Sequence, residues 1–263
     1  YIYSGNEYLQ FMARPWTEQE LLVAMNLYCA LPFGQFNHAN KRIREVAAQM
    51  GRTPSSLSMK LCNLASLDQY HRNRGVAGLR GASSLDRSVW NRFQADWSGM
   101  AEKSEAALEA LMGGAPAKSE EKTFKLPDGP SEIPRTVKAR RLQRFFRNAV
   151  LANYEYQCAI SGVAVPELLV ASHIVPWSED VARRADPTNG LCLNALYDKA
   201  FDCHLITFDE EFKLVVCSAL KKRDVPEFQR VNFVKIEGSK LRMPHRFPPD
   251  SAALAKHREL FRA

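Results

Sequence analysis

Along the first hundred residues the apolar positions recur three and four apart, the period of helices with one buried face. Thr17 and Glu20 form a capping-box pattern ahead of Leu21, Leu22, Met25, Tyr28 and Cys29, and Pro32 closes the predicted helix. A short second helix turns Ile43, Val46, Ala47 and Met50 inward and stops at Gly51. Thr53 and Pro54 supply the N-cap and first-turn proline of a third, which buries Leu57, Leu61 and Leu64. A long helix is predicted from 83–84 onward. Its Trp90, Phe93, Trp97, Met100, Ser104, Ala107 and Leu111 alternate as a heptad seam. Beyond residue 133 the pattern changes. A basic amphipathic helix with Leu142, Phe145, Phe146 and Ala149 on one face gives way to strand-length apolar runs at 158–165, 168–177, 191–193, 205–208 and 213–216. A short helix is predicted between them, over 195–203, and another amphipathic helix near the end of the chain. The expected class is α+β.

The stretch "GGAPAKSEEKTFKLPDGPSEI", 113–133, mixes Gly, Pro, Ser and charge without apolar period and reads as a linker. The expected organisation is a helical domain over 12–112, that linker, and a second domain with a C-terminal tail over 134–263. Met12 reads as a natural start, which makes the eleven residues before it leader sequence; they lack the pattern of a secretory signal. With 46% hydrophobic and 25% charged residues and no apolar run near the roughly 18 residues of a membrane span, the expected location is the cytoplasm, with no membrane partner. The six cysteines are scattered without a C-x-x-C, which suggests reduced thiols and argues against structural zinc. A net charge of +7 hints at a polyanionic partner.

"REVAAQMGRTPSSLSMKLCNL" is helix, glycine turn, helix, and its spacing resembles the DNA-binding helix-turn-helix. Ser55, Met59, Cys62 and Asn63 would face outward, with Ser56 and Lys60 at the flanks, toward base edges. Arg52 and Lys60 would hold phosphates. "HRNRGVAGLR" adds Arg72 and Arg74 on a backbone-contacting loop. Between 135 and 147 six basic residues and no acidic one occur, and Arg140, Arg144 and Arg147 read as a phosphate rail.

Within "LLVASHIVPW" a Ser-His pair interrupts a run that otherwise reads as buried strand. Asn189 follows His173 by sixteen residues, and Asp198 and Asp202, four apart, project from one face of a helix. With "ASHIVPW", "NGLCLNAL" and "AFD", this series over roughly 135–217 resembles the HNH endonuclease motif, and the restriction endonuclease branch in particular. The N-terminal stretches "PWTEQELLVAMNLYCALPFGQF" and "GRTPSSLSMKL" are similar to the region that accompanies such nucleases. The resemblance implies a ββα-metal fold, two strands and a helix around one divalent ion, acting on double-stranded DNA.

The residue types suit phosphodiester hydrolysis. His173 can take a proton from water as general base, and Asp198 and Asp202 offer oxygen ligands. Asn189 either pins the histidine loop or ligates the ion. Ser172 and Asp198 depart from the His or Asp and the final His of many HNH proteins, which favours Mg²⁺ or Mn²⁺ over Zn²⁺. His204 reads as a surface residue and His257 as a helix-face residue. The competing reading is a helix-turn-helix regulator with an inactive HNH core; RNA cleavage is weaker, for want of a stacking sheet surface. One base and one ion per copy suggest a homodimer, with 97–111 or the tail 218–263 as the contact.

Overall fold

The computed structural model describes residues 14–73, 75, 81–113 and 133–262, the first three residues of the last span by backbone alone. The expected leader, Arg74 and most of the expected linker lie outside them. Contacts divide the chain into two compact units, Tyr1–Asn148 and Ala149–Ala263. The boundary falls inside a helix, so the start of the basic helix groups with the first unit rather than with the second domain expected from 134.

The first unit is helical around α1 (Glu18–Ala30), in which every residue from Leu21 to Cys29 is buried. Thr17 and Glu20 make the capping box predicted for its start. In chain order follow α2 (Lys41–Gln49), α3 (Pro54–Ala65), the short α4 (Gln69–Asn73), α5 (Ser84–Ala95) and α6 (Trp97–Leu111); α3, α5 and α6 pack on α1, and α2 packs on α3. Ile43, Val46, Ala47, Leu57, Leu61 and Leu64 are all fully buried, and Gly51 between α2 and α3 has φ 62°, the left-handed conformation that a glycine adopts without Cβ strain.

The single long helix expected from 83 is two. Asp96 leaves helical geometry (φ −147°, ψ 81°) and its carboxylate accepts the Gly99 N–H at 2.8 Å, capping α6. A Cβ at Gly99 would lie 2.1 Å from that carboxylate, so a side chain there displaces the cap. Trp97, Met100, Ser104 and Leu108 are buried within this unit, and Asn26 of α1 donates to Glu105 at 2.9 Å.

The second unit begins in α7 (Ile133–Asn153), whose Ala149 to Ala152 are buried. Antiparallel β1 (Leu169–His173) and β2 (Gly190–Asn194) pair with His173 opposite Gly190. α8 (Ala195–Asp202) follows directly, then the hairpin β3 (Ile206–Phe208) and β4 (Leu214–Val216), and finally α9 (Ser251–Glu259). The strand expected over 158–165 is a turn instead. The Cys158 N–H donates to Val163 O at 2.9 Å, and its buried sulfur receives the Asn194 N–H at 3.3 Å. The class is α+β, helical first and ββα after. Among the described residues no helix is long and apolar enough to cross a membrane.

Candidate active site

His173 is the last residue of β1 and half-buried. Its Nε2 lies 3.0 Å from the Arg184 carbonyl. A carbonyl only accepts, so Nε2 carries the hydrogen and Nδ1 the lone pair. Burial lowers the His173 pKa, the hydrogen bond to Arg184 O opposes this, and the Arg184 charge lowers it further; the net shift is downward. The ring is neutral near pH 7.

Asn189 closes the loop that leaves β1 and returns as β2. It is fully buried; its Oδ1 accepts the Val175 N–H at 2.8 Å, its Nδ2 donates to Val175 O at 3.1 Å, and its carbonyl accepts the Ile174 N–H at 2.9 Å. With both ends of its amide committed, Asn189 pins the histidine loop. Its Oδ1 keeps a second lone pair, so ligation of an ion stays a proposal beside this pinning role.

α8 carries the two carboxylates. Asn194 caps its first turn, accepting from Leu196 N at 3.1 Å and Tyr197 N at 3.0 Å, and donates to Ser161 Oγ at 3.1 Å. At the other end the His257 Nε2–H reaches Phe201 O at 3.0 Å, and its ring stacks on Phe201 at 3.7 Å. His257, on the inner face of α9, is thus buried against α8 and hydrogen-bonded to Thr207, and His204 lies half-buried beside it at 3.2 Å, which corrects the reading of His204 as a surface residue.

Burial raises the Asp198 pKa, Ser172 opposes it, and the Asp202 charge adds to it; Asp202 is also raised by burial. The Ser172 hydroxyl is buried beside the Asp198 carboxylate. Asp198 is half-buried and Asp202 exposed, and the two carboxylates, with the Ser172 hydroxyl beside Asp198, are oxygen donors of the kind a divalent cation takes. Among the described residues no group of three or more His, Cys, Asp and Glu gathers. An ion here would take its remaining ligands from water and phosphate, as Mg²⁺ does.

Residues 158–209, which hold His173, Asn189, Asp198 and Asp202, match the family model of the HNH endonucleases. The chain carries an HNH domain. No curated protein matches the chain. The HNH domain supports a nuclease, of a kind generally metal-dependent and acting on DNA.

The proposed DNA contacts of the first unit fare unevenly. Ser55 and Met59 are exposed, and Ser56, Cys62 and Asn63 half-exposed, on the outer face of α3. Arg52 is not available for phosphate: its side chain is 3% exposed, bound to both Glu20 oxygens at 2.8 Å and stacked on Trp16. Lys60 is likewise withdrawn, in a buried pair with Asp86 at 2.8 Å. On the basic helix, Arg144 binds Glu105 and Glu109 and Arg141 binds Glu109, so an acidic row on α6 neutralises the expected rail at Arg144. Arg140 and Arg72 are exposed, Arg147 is half-buried, and Arg74 lies outside the described residues. Sequence reasoning passed over Arg42 and Arg44, exposed on α2, and Arg184 and Trp177 beside His173. Periodicity marks the two α2 arginines as outward-facing. No local pattern tells Arg184 from its neighbour Arg183.

Proposed function

We propose that the chain is a metal-dependent DNA endonuclease of the restriction type, with His173 as general base. One observation carries the reading: a neutral histidine of defined tautomer sits in the same ββα element as two carboxylates one helical turn apart. Its Nδ1 lone pair takes the proton of an attacking water. Asn189 holds that ring in place through the loop backbone, a positioning role. Asp198 and Asp202 are the residues that would hold the ion, Mg²⁺ or Mn²⁺. A bound divalent ion would polarise the scissile phosphate and stabilise the departing 3′ oxygen.

The N-terminal unit would supply DNA recognition. Ser55, Ser56, Met59 and Asn63 are directed to base edges, while Arg42, Arg44 and Arg72 replace Arg52 and Lys60 as phosphate contacts. Supercoiled plasmid incubated with Mg²⁺ or Mn²⁺ tests the reading. The wild type is expected to cut, and His173→Ala to abolish cutting while DNA affinity stays within a few fold. Asp198→Ala is expected to lower Mn²⁺ affinity, measured by calorimetry, together with activity. DNA binding without any cleavage by the wild type would favour the regulator with an inactive core.

A further inference from the structure

Of the first unit's cations expected to reach phosphate, Arg52, Lys60 and Arg144 are spent on carboxylates, and in the second unit Arg183 is bound by Asp186 at 3.0 Å and Asp250 at 2.7 Å. Its neighbour Arg184 is held differently. The Arg184 Nε donates to Trp177 O at 2.8 Å, and the guanidinium stacks over the Trp177 ring with 4.8 Å to the centroid. The same ring meets His173 edge-on at 5.7 Å. Among the described residues no carboxylate pairs with Arg184. Its main chain and side chain therefore serve one ring: the carbonyl sets the His173 tautomer, and the side chain stands a cation beside it.

A fixed cation next to a general base works against the reaction in isolation, because the base must become an imidazolium. Its charge already contributes to the depressed basicity of His173. The cost disappears when an anion arrives between them. Stacking and the Nε bond orient the guanidinium plane and leave Nη1 and Nη2 as donors in a fork that matches two phosphate oxygens.

We propose that Arg184 is a catalytic residue that binds the non-bridging oxygens of the scissile phosphate. This rests on the nuclease reading above. The test measures cleavage of supercoiled plasmid with Mn²⁺ by Arg184→Ala, Arg184→Lys and His173→Ala alongside the wild type. The turnover of Arg184→Ala is expected to fall by about 100-fold, the loss typical of one transition-state donor. Plasmid affinity should change much less, and added methylguanidinium should restore part of the rate. A purely structural role would not respond to methylguanidinium. Cleavage by Arg184→Ala at the wild-type rate, or a loss untouched by methylguanidinium, overturns the assignment. Should the alanine variant fail to fold, Arg184→Lys carries the test: reduced turnover at unchanged affinity supports the role and a wild-type rate overturns it. A dead His173→Ala beside a fully active Arg184→Ala removes only the arginine. An inactive wild type, or an active His173→Ala, removes the nuclease reading and this inference with it.

Discussion

At the level of single residues, His173 sits where burial and the Arg184 charge both disfavour the imidazolium, so it is deprotonated at neutral pH. Base catalysis needs the neutral ring. Activity is therefore expected to be full around pH 7 and to be lost only as pH falls through a midpoint below the ordinary histidine value of 6.5. The pH profile of kcat/KM for plasmid cleavage reads that midpoint; an acid limb centred above 6.5 would contradict the burial. Lys60 illustrates the opposite fate of a cation. Its partner Asp86 is fully buried and also receives the Ser83 N–H at 2.7 Å in the capping box of α5. Lys60→Ala would strand that carboxylate, and a loss of about 3–5 kcal/mol in denaturant unfolding is expected. A variant that lost DNA affinity at unchanged stability would return Lys60 to the DNA face.

Among the elements, α8 is the one whose placement the chemistry depends on, and it is held at both ends. Asn194 ties its first turn to Ser161, while α9 presses His257 onto its last turn. Burial, partly opposed by the bond to Phe201 O and aided by the His204 charge, pushes the His257 pKa down to about 4. Above pH 6.5 the ring is neutral whether the chain is folded or not, and its contacts stabilise the fold in full. As pH falls from 6.5 to about 4, the unfolded chain takes up a proton that the folded ring resists, and about 3 kcal/mol of stability is lost. Thermal unfolding followed between pH 7 and 4 should therefore slope downward in the wild type and be flatter in His257→Gln. Equal slopes would show that the acid sensitivity lies elsewhere.

For the whole molecule, one base and one pair of carboxylates per chain, acting as proposed, would cut one strand at a time, so a double-strand break would call for two copies of opposed polarity. The expected assembly is a homodimer on DNA. Trp97, Met100, Ser104 and Leu108 of the heptad stretch are already buried in the first unit, and α9 buries Ala253 and Leu254 in the second. Within 218–263, Phe228 at 66% exposure and Val231 at 42% stand three residues apart, and Leu260 is exposed at 56%. Light scattering of the protein alone and on DNA checks the expectation. A monomer in both states, with nicked circles as the sole product, would mean single-strand cutting.

Helix caps and buried faces were legible in the sequence because they depend on neighbours three and four residues away. Thr17 with Glu20, Gly51 and Thr53 with Pro54 all act as their spacing predicted. The order His173, Asn189, Asp198, Asp202 was legible for the same reason, since strand, turn and helix fall within one short segment. Tertiary structure alone decided which cations remain open to a polyanion. Arg52 finds Glu20 across 32 residues, Lys60 finds Asp86 across 26, and Arg144 finds Glu105 across 39. Folding also tied the Asn189 amide into the histidine loop, and set the tautomer of His173 through the carbonyl of Arg184 eleven residues on. Local backbone geometry is set by adjacent residues, whereas the partner of a charge or a polar hydrogen is set by whichever distant group packing brings within about 3 Å.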